Sequence, residues 1–260
     1  MLRAMWASAT GMRAQQMNID VIANNLANVN TAGFKRSQAA FQDLIYDRLR
    51  SPGASSDDGS GIPVGIQIGL GTQLSSVGKI FTAGKPQQTG RELDVMIEGR
   101  GFFKVTLADG TEAYTRDGSF QVSSEGEIVT SDGYKVDGFD AVDPNATALA
   151  ISPNGTISEI VNGSATQKGQ IDLYTFVNPS GLLAVGHNLF TASSASGDAV
   201  SGTPGSNGVG TVQQGFLEMS NVEVVQEMVN MIIAQRAYEV NTKAIQASDE
   251  MLQAANNIRR

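Results

Sequence analysis

The chain has no cysteine, which removes disulfides, thiolate nucleophiles and cysteine-ligated metals. It has one histidine, His187, so neither an imidazole-based triad nor a histidine-rich metal centre has its raw material; a lone loop or surface histidine is the plain reading. No apolar run approaches membrane-spanning length. Basic clusters are equally scarce. No Lys/Arg block exceeds Lys35-Arg36 or Arg259-Arg260, and the net charge is −8. Neutralising phosphates needs a basic face, so no nucleic-acid partner is expected. The same charge favours solubility of the free chain. Aromatics are 6% against 29 glycines, a composition that suits a turn-rich β protein with modest cores better than a dense α/β enzyme. The 260 residues suffice for one good core or two smaller units.

Motifs for chemistry are missing too. Asp137, Asp140 and Asp143 could be imagined around calcium, but their spacing is wrong for an EF-hand loop and acidic turn residues explain them. Gly99-Arg100-Gly101 lacks the third glycine and the following helix of a dinucleotide site. The triplets beginning at Asn145, Asn154 and Asn162 match a glycosylation acceptor, yet two of them also read as turns. There is no phosphate-binding loop and no nucleophile elbow. The expectation is no enzyme, no cofactor and no metal.

What is present sits at the two ends. From the N-terminus, Leu2, Met5, Ala9, Met12, Ile19, Ala23 and Leu26 recur in steps of three and four, with Gln16 filling one seam position and Gly11 weakening the helix. The pattern predicts a helix ending near Asn28–Gly33, where Asn, Thr and Gly cluster. Arg3, Ser8, Thr10 and Arg13 interrupt any apolar h-region, so a cleavable secretory signal is not expected; an exported chain would keep its N-terminus. The segment 220–258 repeats the periodicity. One stripe holds Val225, Val229, Ile233, Ala237, Val240, Ala244, Ala247, Met251, Ala254 and Ile258, and a neighbouring one Met228, Ile232, Tyr238, Ile245 and Leu252. Ser220 or Asn221 is the expected N-cap, with Glu223 in the first turn. A packed helical hairpin within one domain explains one such stripe. Two adjoining stripes, rich in Ala and Met, offer more apolar surface than one partner helix needs. If the terminal helices pair along their length, they run antiparallel.

Between them the chain reads as β. Residues 35–46 have mixed periodicity, 50–63 form a polar Gly/Ser/Asp loop, and 64–81 alternate and read as extended chain or a hairpin arm. Strand signals sharpen from Asp94 through DVMIEG, GFFKVTL, AYTRDGSFQV and GEIVTSDGYKV to QIDLYTFV at 170–177. Asp-Gly pairs at 109–110, 117–118 and 132–133, with Asn154-Gly155 and Asn162-Gly163, predict tight turns. Residues 193–210 are Ser/Gly/Ala-rich and predict a flexible connector.

The segment Ile22–Lys35 (IANNLANVNTAGFK) closely resembles the signature of flagellar rod and hook proteins, carried by Asn24, Asn25, Leu26, Ala27, Asn28, Thr31, Gly33, Phe34 and Lys35. LDVMIEGRGFF at 93–103, YTRDGSF at 114–120, GEIVTSDGY at 126–134 and the stretch from Ser220-Asn221-Val222 through Glu227–Glu239 resemble that family's later motifs, in the same order. The resemblance implies an α+β fold: a mainly-β central domain, with long N- and C-terminal helices pairing as an antiparallel coiled coil. It divides the chain into a helical domain (1–33 with 218–260), an extended linker or hairpin region (34–90 with 193–217) and a β domain (91–192). It further implies a structural subunit that stacks on itself as a helical polymer, using as assembly seam Leu2, Met5, Ala9, Met12, Ile19, Ala23, Leu26, Val225, Val229, Ile232, Ile233, Val240, Ala244, Met251 and Ile258.

Length and the insert at 46–63 point to the distal-rod branch of the family. In that branch an extra segment, here Tyr46, Leu49, Pro52, Asp57, Asp58 and Pro63, is linked to a straight, rigid tube; a solvated surface loop would have the same composition. The implied setting is the basal body in the periplasm. The implied partners are proximal rod proteins, the hook protein, the surrounding P-ring and L-ring proteins and the flagellar type III export apparatus. Another rod subunit or a hook protein is the alternative within the family, and a secreted β-rich enzyme or adhesin the alternative outside it.

Overall fold

The computed structural model describes residues 2–50, 64–139, 141–143, 146, 148–161, 164–206 and 208–258, excepting the side chains of Ser164 and Ile258. Pro52, Asp57, Asp58, Pro63, Asp140, Asn145, Asn162 and the Ile258 side chain therefore lie outside the described residues. The chain forms two compact units. The first comprises residues 1–26, 37–78 and 224–260, the second 27–36 and 79–223.

The first unit holds the two long helices, α1 (Leu2–Ala27) and α2 (Val224–Ile258). Both are rich in Ala, with Met and Gln, which give up little rotamer freedom in a helix. α1 stops at Ala27, where the Asn-rich turn begins. α2 starts at Val224, later than its expected caps. Ser220 instead accepts a bond from the Val222 amide, and Asn221 spends its side chain on other segments. Side chains of the two helices meet at several points: Asn25 meets Glu227, Met12 Sδ takes the Thr242 hydroxyl at 3.3 Å and Gly11 backs onto Asn241, while Met5, Trp6, Ala9 and Ile245 line one apolar recess. No helix among the described residues is long and apolar enough to cross a membrane.

Four strands complete this unit: β1 (Ser37–Asp43), β2 (Tyr46–Arg50), β3 (Ile66–Gly69) and β4 (Thr72–Lys79). β1 pairs with β4 and β2 with β3, in the register Tyr46↔Gly69 to Arg50↔Ile66. Backbone bonds from Leu44 to Gly71 and from Leu70 to Ile45 carry the ladder across the break, so the four pieces make one long two-stranded ribbon. Residues 64–79 are thus the hairpin arm expected from their alternation, and the undecided 37–46 supply its partner. The Thr10 hydroxyl accepts the Thr72 amide, and Arg3 pairs with Asp47 at 2.5 Å, tying the ribbon to α1.

The second unit is built on a seven-stranded antiparallel sheet. Its spatial order is 183–186, 189–191, 112–115, 103–106, 135–136, 128–129 and 121–122. A three-stranded meander (148–151, 156–161, 164–170) and three short pairs complete it: 173–175 with 200–202, 95–98 with 211–214, and 86–88 with 216–218. Successive residues on a strand face opposite sides, and this sheet uses both. Phe103, Val105, Ala113 and Leu189 enter a large aliphatic core with Val95, Ile97, Ile128, Ile171 and Leu173. Their neighbours Phe102, Tyr114 and Phe190 enter a second, aromatic core with Phe176 and Leu182. There Phe81, Phe102, Phe176 and Phe190 meet edge to face at 5.3–6.2 Å, the geometry their ring quadrupoles favour.

Two expectations for this unit are corrected. Residues 193–210 are packed rather than a flexible connector. Val200–Gly202 pairs with a strand, and Ser196 is fully buried in a turn where Ser193 and Ser196 bond each other's backbone. Hydroxyls that satisfy their own backbone let a Ser-rich segment fold without a large apolar content. Asp117-Gly118 is not a positive-φ turn. Gly118 is needed because a Cβ there would lie 1.7 Å from the Val95 carbonyl oxygen, which the chain passes at close quarters.

Candidate functional site

The motif between α1 and the first strand is the densest polar construction in the chain. In the first unit Asn25 is buried at the end of α1. Its amide donates to the Ser37 carbonyl and accepts the Ser37 N–H, each at 2.8 Å, copying a pair of strand hydrogen bonds with one side chain. The same amide nitrogen lies 3.4 Å from Glu227 Oε2 on α2. Asn24 is solvent-facing and Leu26 half-buried.

The rest of the motif belongs to the second unit. Thr31 closes a turn on the Asn28 carbonyl, and its hydroxyl reaches Asn28 Oδ1. Gly33 sits at φ +70, and a Cβ there would fall 2.5 Å from the Asp117 nitrogen, so both conformation and space demand glycine. Phe34 is buried beneath Lys79, whose Nζ stands 4.9 Å from its ring centre. Lys35 is fully buried. Its Nζ donates to Glu218 Oε1 at 2.6 Å and to the Thr82 carbonyl at 2.9 Å.

Glu218 is the hub. Its carboxylate also takes the Gly84 amide at 2.8 Å and Arg116 Nη1 at 3.3 Å, and its backbone carbonyl takes Gly33 N–H at 2.8 Å. Arg116, itself buried, donates Nη2 to the Gly99 carbonyl at 2.7 Å. Asn221 ties the same region. It accepts the Arg36 amide and donates to the Ile80 carbonyl and to Thr82. Burial pushes the Lys35 amine below the ordinary lysine value while Glu218 pulls it back up, and Arg116 is moved the same way for the same two reasons. One carboxylate compensates two buried cations. Removing one partner of such a network costs about 3–5 kcal/mol.

Sequence reasoning found the motif but not Arg116, Glu218, Asn221, Ser37 or Glu227 as its partners. The signal was Lys35 itself: a lysine flanked by residues that must pack requires a carboxylate, and Glu218 interrupts the strand that begins Phe216-Leu217.

The seam residues fall on a different surface. The face of α2 turned toward its own unit carries Glu227, Ala234 and Ser248 buried, with Met231, Asn241, Thr242, Ile245 and Leu252 half-buried. The apolar stripe faces outward. Val225, Val229, Ile232, Ile233, Val240 and Met251 are 45–71% exposed, and Ala244 is exposed as well. On α1, Leu2, Ala9 and Ala23 are exposed, while Met5, Met12, Ile19 and Leu26 are half-covered. The ribbon adds Ile45 at 81%, Tyr46 at 49% and Leu49 at 55% exposed. Of the residues weighed for chemistry, His187 is a surface turn residue 3.2 Å from Asp132, and Asp137 bonds Lys104 and Tyr174.

Comparison with known proteins agrees along the chain. Residues 5–35 match the family model for flagella basal body rod proteins, 96–159 the D1 domain of the flagellar hook proteins FlgE/F/G, and 213–258 the C-terminal region of flagellar basal body rod FlgEFG proteins. Three relatives bear the name flagellar basal-body rod protein FlgG. The one from Borreliella burgdorferi is 49% identical, covering the whole of both chains. That from Caulobacter vibrioides is 44% identical over 99% of this chain and all of its own. The Bacillus subtilis protein is 40% identical over the full length of both.

Proposed function

The chain belongs to the flagellar basal-body rod protein FlgG family, as a structural subunit and not an enzyme, and from that premise we propose that it builds the distal rod by helical self-assembly through the outward stripes of α1 and α2. The polymer is a rigid tube that transmits torque and joins the proximal rod to the hook, inside the P-ring and L-ring in the periplasm. The subunit reaches it through the flagellar type III export apparatus with its N-terminus uncleaved. In the tube the chain works in three parts: the helices (1–33 with 218–260) pair as an antiparallel coiled coil, the linker and ribbon (34–90 with 193–217) bridge neighbours, and the β domain (91–192) forms the outer body.

The observation that carries this reading is the uncovered stripe from Val225 to Met251. It keeps a heptad spacing over seven turns of a helix whose other face already has a partner. Exposed apolar surface of that length marks a protein contact, and seven-residue spacing selects helices as the partners. Ile233→Asp tests it. A carboxylate buried among helices without a partner is strongly unfavourable, so the variant should fold its β unit and form no filaments by electron microscopy. Filaments at the parent's yield would remove the stripe from this role.

The ribbon supports a second element of the proposal. Tyr46 and Leu49 lie on β2, just before residues 51–63, and expose apolar side chains on a narrow two-stranded arm. Such an arm is suited to strap a neighbouring subunit and raise the cost of sliding. Deleting residues 46–63 should leave assembly intact and give curved or flexible rods; deletion rods as straight as the parent's would mean that rigidity arises elsewhere.

A further inference from the structure

The two cores of the second unit are drawn from residues 81–212. Lys35, Gly84, Glu218 and Asn221 belong to neither. What holds 33–36, 82–88 and 216–221 together is chiefly polar: the Glu218 carboxylate with Lys35, Gly84 and Arg116, the Glu218 carbonyl with Gly33, Asn221 with Arg36 and Thr82, and the short strand pair 86–88 with 216–218. These segments also lie at or within a few residues of three of the four points at which the chain enters and leaves the unit, 36/37, 78/79 and 223/224, the fourth being 26/27.

We infer that these three segments form a latch, keyed by Glu218, that opens as one cooperative piece while both cores of the unit stay folded. Apolar cores and polar clasps answer to different forces. Phe81 stays with the aromatic core when the latch opens, and the opening uncovers the buried Phe34 but neither core, so its cost is set mainly by the ion network and a handful of backbone bonds. Local openings of this kind occur below the cost of global unfolding when a segment adds little to a core. The trio explains why the latch is nonetheless closed at rest: with Glu218 in place, two buried cations have a carboxylate, and without it neither can stay buried. In a rod subunit, the reading on which this consequence rests, the latch is the first part of the unit to yield under load, and it recloses onto an intact core.

Native-state hydrogen exchange on the full-length chain tests this. In the parent, the amides of Gly33, Arg36 and Gly84 should share one opening free energy, below that of the amides in strands 103–106 and 112–115. In Glu218→Gln, protection of the first set should fall by about 100-fold or more, while the second set stays within about twofold of the parent. Equal opening free energies for the two sets in the parent would overturn the latch, and that measurement decides even if the variant does not fold. A loss of the same factor at both sets in Glu218→Gln would also overturn it, because the trio would then be an ordinary part of the unit's global stability.

Discussion

The two compact units solve the problem of apolar surface in opposite ways. The β unit turns both faces of its main sheet inward, and its largest apolar side chains, among them Ile97, Phe103, Phe120 and Leu173, are essentially inaccessible. The helical unit does the reverse. The inner face of α2 mixes small and polar residues, Ala234, Asn241, Thr242 and Ser248, with half-buried Met231, Ile245 and Leu252, while Val225, Ile232, Ile233 and Val240 face out. Apolar burial is worth about 25 cal/mol per Å², so the helical unit leaves much of its stabilisation to be gained from neighbours. A unit with a closed core is a body; a unit with an open one is a joint.

That contrast can be broken by substitution. Phe103→Ala, in the aliphatic core, should cost about 3–5 kcal/mol, visible as a lower melting temperature of the β unit while proteolysis of the terminal helices is unchanged. Asn25→Ala should cost about 1–3 kcal/mol by orphaning the Ser37 backbone groups. Its effect should appear in the helical unit, as faster cleavage of residues near the end of α1, and not in the melting of the β unit. Ile233→Ala, on the outward stripe, should change the stability of the dilute subunit by less than about 0.5 kcal/mol while slowing polymer growth. A larger loss of monomer stability would mean that the stripe is already covered.

Titration sharpens the same contrast at the edge of the aromatic core. Burial, helped by the Glu112 carboxylate, pushes the Tyr114 phenol up to about 12. A phenol in the unfolded chain loses its proton near 10. The folded state therefore holds the proton longer, and the stability this contributes is complete below pH 10 and is lost as pH rises toward 12. Burial also raises the Tyr174 phenol, so ultraviolet difference spectra should show a late-ionising component in the parent, and Tyr114→Phe should reduce it and flatten the alkaline loss. The effect is absent at neutral pH, where the phenol is protonated in both states, and shows only on the alkaline side.

The helices and the end of α1, though not the start of α2, were legible in the sequence because a three-four spacing sustained over many turns matches the helical period and no strand or loop period. Their facing was not. A heptad stripe reports that something packs there without saying whether the partner is the same chain, and the inner face of α2 mixes Met231, Ile245 and Leu252 with Ala234, Asn241, Thr242 and Ser248, which dilutes its hydrophobic signal. The hairpin arm at 64–79 was readable from its alternation; its partner strand was masked by mixed residues, since a ribbon exposed on both sides has no face to pattern. The signature at 22–35 was recognisable as a motif, but its physical meaning lies in Glu218, 183 residues away from Lys35. Local periodicity cannot announce a contact of that range. The Ser-rich stretch at 193–210 misled because composition does not reveal that hydroxyls will satisfy the backbone in place.

The adjacent phenylalanines at 102 and 103 impose a reading frame on the β unit. Each is assigned to a core by parity alone, and Ala113 with Tyr114 and Leu189 with Phe190 are read in the same frame, locked by the pairings Phe103↔Thr115 and Leu189↔Thr115. A shift by one residue in the second or third of these strands would turn Tyr114 or Phe190 toward the first core and Ala113 or Leu189 toward the second. Insertions of any length are therefore tolerable in the turns, where no frame is read, while within these strands even a single-residue deletion should act like a frameshift, scrambling two cores at once.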